Sequence, residues 1–264
     1  DVRNATAVLQ WDQETYLPPK GATFRGQQIS TLSEISHRLF SDASLGDLLK
    51  KLLDSKDLSV ENRRNVELTL EDYEKNKKYS SEFVRRLSDQ TNKAFHSWID
   101  SRKKNSFLVF EKDLDLLIQL KKEEASVLGY QHHPYNALLN EFEKGATVEL
   151  IDKTFAHLLS SIQVLIRNIS NSSQVDDSFL QQHFPKQQQL DWSLELIRDL
   201  NFDFESGRQD ISEHPFSISF NRNDVRITTR VDESDFGNMT WSCIHETGHG
   251  LYEQGLPEEQ YGLP

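Results

Sequence analysis

Ser234 to Gly255 reads S-D-F-G-N-M-T-W-S-C-I-H-E-T-G-H-G-L-Y-E-Q-G and carries H-E-x-x-H in a segment with helical ends. Ser234 or Asp235 can accept hydrogen bonds from the first free amides, Gly255 suits a left-handed stop, and Pro257 cannot continue the helix. Four residues make slightly more than one turn, so His245 and His249 project from one face and can bind one tetrahedral cation. Glu246 points to the side of that pair. There it can act as general base toward a water that zinc, or cobalt, activates. The chemistry this pattern points to is metal-dependent peptide hydrolysis. Around the motif, Trp241, Cys243, Ile244, Thr247, Gly248, Gly250, Leu251 and Tyr252 are all uncharged. That predicts a helix buried on most sides, with two buried histidines flanking a buried glutamate, since a solvated helix would carry charges there.

Just upstream the period changes. In His214 to Phe220 alternation puts His214, Phe216, Ile218 and Phe220 on one face, and Asn221 to Asp224 supplies turn residues. From Val225 to Val231, Val225, Ile227 and Thr229 share one side while Arg226 and Thr228 share the other. A small antiparallel β-hairpin therefore feeds the metal helix, and a strand edge beside a metal can align an extended peptide. Arg226 has two readings, a substrate contact or an ion pair with Asp224 on the same face. His214, before a proline at a strand start, is likewise either structural or a group that faces substrate.

Farther out the chain reads as helices. Apolar stripes at helical spacing run through Val2–Trp11, Phe24–Phe40, Leu45–Leu53, Val66–Tyr73, Phe83–Trp98, Phe107–Leu120 and Leu150–Ile169, with a break at Pro18, Pro19 and Gly21. Tyr135 begins a shorter helix, and two more are expected over Asp176–Phe184 and Lys186–Leu200. His132 and His133 sit beside Pro134 as exposed loop residues. With only 11 glycines and 7 prolines in 264 residues, long stretches lack both helix breakers, which favours a mainly α, multi-helix, zincin-like fold.

A net charge of −12 speaks against a nucleic-acid partner, which needs a basic footprint. The single cysteine, Cys243, rules out an internal disulfide framework and reads as a small buried helix residue. No apolar run approaches membrane-spanning length, and no signal-peptide pattern opens the chain, so a cytoplasmic protein away from the membrane is expected. Residue 1 is Asp and the one methionine is Met239, which leaves a removed leader open.

Four stretches together resemble the thermostable carboxypeptidase (Taq) family of zinc metallocarboxypeptidases. They are W-D-Q-E-T-Y-L-P-P-K-G from Trp11, followed by Arg25-Gly26; H-P-F at His214 to Phe216; D-V-R-I-T at Asp224 to Thr228; and H-E-T-G-H-G-L-Y-E-Q-G from His245. Y-N-A-L-L-N-E-F-E-K-G from Tyr135 is similar to the family as well. The resemblance implies an almost all-helical homodimer with a small sheet beside a deep groove, releasing single C-terminal residues from peptide substrates. It assigns His245 and His249 to the metal and Glu246 to catalysis. His214, Phe216, Arg226 and Thr228 fall to the groove wall that binds substrate. In that family the third zinc ligand is a glutamate in an H-E-S motif beyond the metal helix, and later motifs hold the substrate carboxylate. This chain ends at Leu263-Pro264, and Glu253, Glu258 and Glu259 are poorly placed to substitute. The resemblance thus implies an N-terminal portion of a larger enzyme, helical over 1–210, with hairpin and metal helix over 211–264. The C-terminal portion would be missing and the fragment inactive. A metalloendopeptidase or oligopeptidase on a related scaffold, and a helical interaction module without catalysis, are the competing functions.

Overall fold

A computed structural model describes residues 1–263 and bears out the mainly helical reading, with ten α-helices and one three-stranded sheet among the described residues. The helices are α1 Val2–Thr15, α2 Ala22–Phe40, α3 Ala43–Leu53, α4 Val60–Asn76, α5 Ser81–Lys104, α6 Leu108–Leu128, α7 Tyr135–Leu139, α8 Val148–Ser170, α9 Lys186–Asp199 and α10 Phe236–Gln254. The strands are β1 Gly207–Ile211, β2 Ser217–Asn221 and β3 Asp224–Thr229. Helix starts follow local chemistry. Ser80 accepts from the Phe83 amide, Thr147 from the Leu150 amide at 3.1 Å, and Asp235 from the Asn238 amide at 3.0 Å, each side-chain oxygen satisfying an amide that the helix leaves open. Gly129, at φ 81°, ends α6 in a conformation that side chains resist.

The chain divides into two compact units. One comprises residues 37–51 and 70–175 and the other residues 1–36, 52–69 and 176–264, so α2, α3 and α4 each contribute residues to both. In the first unit α5 and α6 form an antiparallel pair, with α7 against α6. Gly46 of α3 lets the Tyr73 ring of α4 lie against its bare backbone. α8 carries no buried residue over its 23 residues, and Phe155, Leu158, Ile162, Leu165 and Ile169 form an exposed apolar stripe along it.

The second unit builds the sheet, in the order β1-β3-β2. β2 pairs antiparallel with β3, the expected hairpin, with an irregularity between Ser219 and Asn221. β1 pairs parallel with β3, from Gly207 opposite Val225 to Ile211 opposite Thr229. Sequence pattern misses β1 because G-R-Q-D-I lacks alternating apolar residues. Its polar groups are spent internally instead: Gln209 accepts from the Ser193 hydroxyl of α9 at 2.8 Å, while Arg208 pairs with Asp210. Between two partners, β3 is buried at Val225, Ile227, Thr228 and Thr229, as a central strand covered on both faces should be. With β3 in the middle, the edge strands of this sheet are β1 and β2.

α9 and α10 cover one side of this sheet. Ile197, Phe202, Val225 and Ile227 make the core there, with Phe204 and Leu251 against it. Two expectations are corrected. Residues 176–184 hold only a 3-10 turn, Ser178–Gln181, because Pro185 disfavours a helical Phe184. Gly255 ends α10 with φ −82°, a right-handed conformation, and the helix stops where Pro257 takes extended backbone.

α10 approaches the core through Gly250. A Cβ there would lie 2.7 Å from the buried Phe202 ring and 3.2 Å from Ile227. Overpacking costs about 1–3 kcal/mol, against a gain of roughly 1 kcal/mol from alanine's helix propensity. Gly250→Ala is therefore expected to destabilise the protein by up to about 2 kcal/mol in denaturant unfolding; a higher midpoint would refute this packing.

Candidate metal centre

α10 turns the uncharged segment into two unlike faces. Met239, Cys243, Glu246, Thr247 and Gly250 are buried, whereas Trp241, His245, Gly248, His249 and Tyr252 are exposed. The expected burial of both histidines is thus corrected: the neutral residues between them belong partly to the core face and partly to an open face. Of the three motif side chains only Glu246 is buried, at 7% exposure.

The imidazoles converge. His245 Nε2 and His249 Nε2 stand 3.2 Å apart, with the rings nearly perpendicular at 83°. Two nitrogens on one tetrahedral zinc, each about 2.0–2.1 Å from it, stand roughly 3.3 Å apart. The donor pair therefore fits such an ion without rearrangement. Among the described residues no third histidine, cysteine, aspartate or glutamate gathers with them into a metal-holding group. Below the pair, Cys243 is fully buried, with its thiol 3.3 Å from the Thr229 hydroxyl and 3.1 Å from Gln209 Nε2. Burial pushes that thiol up from its ordinary range, which makes it a packing residue rather than a nucleophile.

Two of the four candidate substrate residues lie on β3, the strand packed against α10. Val225, Ile227 and Thr229 face α10, so strand alternation sends Arg226 and Thr228 to the opposite side of β3. There Arg226 grips Asp224 through both guanidinium branches, at 2.8 and 2.9 Å, and lies over the rings of Trp11 at 4.2 Å and Phe220 at 4.8 Å. Those contacts match the ion-pair reading of Arg226. Arg208 lies over the same Trp11 ring at 5.4 Å, so α1 is held to the sheet by an indole that meets two guanidiniums. Thr228 is fully buried. Its hydroxyl meets the Ser212 hydroxyl at 2.7 Å and accepts from the Phe216 amide at 2.9 Å, while Ser212 donates to the His214 carbonyl. These contacts tie Thr228 to the His214–Phe216 loop. His214 is exposed and Phe216 half-buried.

Sequence reading passed over the polar network under α1. Tyr16 hydrogen-bonds Asp210, whose side chain is 2% exposed, and accepts from Arg208 at 2.9 Å. Only the adjacency of these residue types to W-D-Q-E-T-Y hinted at it. Glu14, on the same helix, is half-buried, and that burial pushes its carboxyl from 4.5 up to about 7.

Two histidines on consecutive turns with a glutamate beside them is the donor arrangement of the H-E-x-x-H metallopeptidases. The chain belongs to the carboxypeptidase Taq (M32) metallopeptidase family, whose profile matches residues 1–264. It is 36% identical over 260 residues to carboxypeptidase 1 of Bacillus subtilis (strain 168), covering 98% of this chain and 52% of that protein. Among solved structures, the structure of CHT shares 54% identity with a TM-score of 0.85, covering 100% of this chain and 53% of that one. An M32 carboxypeptidase from Deinococcus radiodurans R1 shares 34% with a TM-score of 0.87 over 100% and 53%. The chain spans about half the length of the relatives it matches.

Because folding raises the Glu14 pKa, the folded protein holds this proton more tightly than the unfolded chain. The resulting stability is full below 4.5 and is lost as pH rises through about 7. Glu14→Gln should flatten that dependence. Between pH 4.5 and about 7 the wild type should lose roughly 2–4 °C of melting temperature relative to the variant, a figure discounted for partial exposure; parallel curves would refute the assignment.

Proposed function

We propose that the full-length protein is a zinc-dependent carboxypeptidase, releasing single residues from the C-termini of peptides. The observation that carries this reading is the 3.2 Å approach of His245 Nε2 to His249 Nε2 on an open helix face, with Glu246 buried beside them. The two histidines would hold the metal, zinc by donor chemistry although cobalt would suit the same nitrogens. When bound, such an ion polarises a carbonyl and lowers the pKa of water. Glu246 then serves as general base. Its carboxylate takes a proton from the attacking water and delivers it to the leaving nitrogen of the scissile bond. His214, Phe216, Arg226 and Thr228 are the groove-wall residues of this reading, with the buried Thr228 acting through the His214–Phe216 loop that it holds. Peptide substrates, a homodimer and a cytoplasmic site of action belong to the same reading.

We also propose that a third protein ligand lies in the half of the family's length that this chain does not span, so these 264 residues alone bind metal weakly and are inactive. After dialysis against metal-free buffer, the full-length protein should keep about one equivalent of zinc and the 264-residue chain almost none. Equal retention would sink the proposal.

In activity assays the full-length protein should hydrolyse a peptide with a free C-terminal carboxylate and spare its amidated twin. Glu246→Gln should lower that rate by about 10²–10⁴-fold while keeping the metal. Equal hydrolysis of both peptides would favour an endopeptidase, and a zinc-loaded but inactive wild type would favour an interaction module.

A further inference from the structure

α10 contains three glycines, and a methyl group would meet something different at each. At Gly250 it would press on Phe202, and at Gly237 its nearest neighbour would be 3.7 Å away, but at Gly248 it would find nothing within 4 Å among the described residues. Gly248 is exposed, and its φ is not positive. Neither close packing nor left-handed backbone therefore calls for glycine at this position. Glycine within a helix is nevertheless less stable than alanine, because it gives up more freedom on folding. Its bare backbone is open space on the outer face of α10.

That space has a defined place. With about 100° of rotation per residue, Gly248 lies roughly 60° from His245 on the side away from His249, and Glu246 lies roughly 60° beyond His249. The two exposed aromatics, Trp241 at 71% and Tyr252 at 68%, lie along the Gly248 side, one a turn before His245 and the other a turn after Gly248. Across the face run a buried carboxylate, the imidazole pair, and then bare backbone bordered above and below by rings. A bare glycine lets another main chain come closer than any side chain would allow.

We propose that Gly248 is a substrate-binding position, where the main chain of a bound peptide lies directly against α10 between Trp241 and Tyr252. This rests on the carboxypeptidase reading given above. It adds the side from which peptide reaches the imidazole pair, opposite Glu246, and makes position 248 the one whose side-chain size sets substrate affinity.

The test uses the full-length protein, comparing wild type, Gly248→Ala and Gly237→Ala in metal content, melting temperature and steady-state kinetics on one peptide. Gly248→Ala should keep its zinc, melt at the same or a higher temperature, and raise KM by roughly tenfold or more with a smaller change in kcat. Gly237→Ala should have wild-type kinetics. A wild-type KM for Gly248→Ala overturns the proposal. So does loss of zinc, which would assign the space to another metal ligand, and so does a lowered melting temperature, which would assign it to packing. If the wild type hydrolyses no peptide, the carboxypeptidase reading itself fails, an outcome visible before any variant is compared.

Discussion

Phe202 and Ile227 press against the bare backbone of Gly250, and this close approach fixes how α10 is rolled on the sheet. The roll decides the site. With Gly250, Met239, Cys243 and Thr247 turned to the core, helical geometry leaves His245 and His249 on the outer face and Glu246 at the boundary between the two. A rotation by a single residue position, about 100°, would carry a histidine toward the core or lift the glutamate into solvent. The donor pair is therefore set by hydrophobic packing on the far side of the helix. Removing the histidines should disturb the fold far less than altering Gly250.

The sheet works in a similar two-sided way. Its α10 face is apolar at Val225 and Ile227, while its other face carries Arg226, which stacks on Trp11 while Asp224 holds both branches of its guanidinium. Asp210, Arg208 and Tyr16 continue that second layer. Charged groups are tolerated there because each has a partner, and an indole that meets two guanidiniums gives α1 a fixed seat without a large apolar patch. The loop from His214 to Phe216 is tied in by two hydroxyls, Ser212 and Thr228, which explains a buried threonine beside a loop whose histidine is exposed.

Much of this was legible in the residues. Helix stripes, Ser and Thr caps, the hairpin period and the H-E-x-x-H spacing all report local geometry, and local geometry is what a sequence pattern encodes most directly. What escaped it was tertiary. β1 is recognisable as a strand only through its partner, because Arg208, Gln209 and Asp210 satisfy themselves on other elements instead of alternating. The exposure of His245 and His249 was misjudged because uncharged neighbours can mean either a core or an open binding face. The roles of Arg226 and Thr228 turned on which side of β3 they occupy relative to α10. Alternation gives the two sides but cannot name what covers each.

α8 leaves a different mark on the molecule. Its 23 residues extend about 35 Å, and no side chain along that length is buried. Apolar rings and branches on such a stripe are shielded from water most readily by another stripe of the same kind. That stripe keeps a long apolar strip of the chain in contact with water, so burying it against any apolar surface would be favourable.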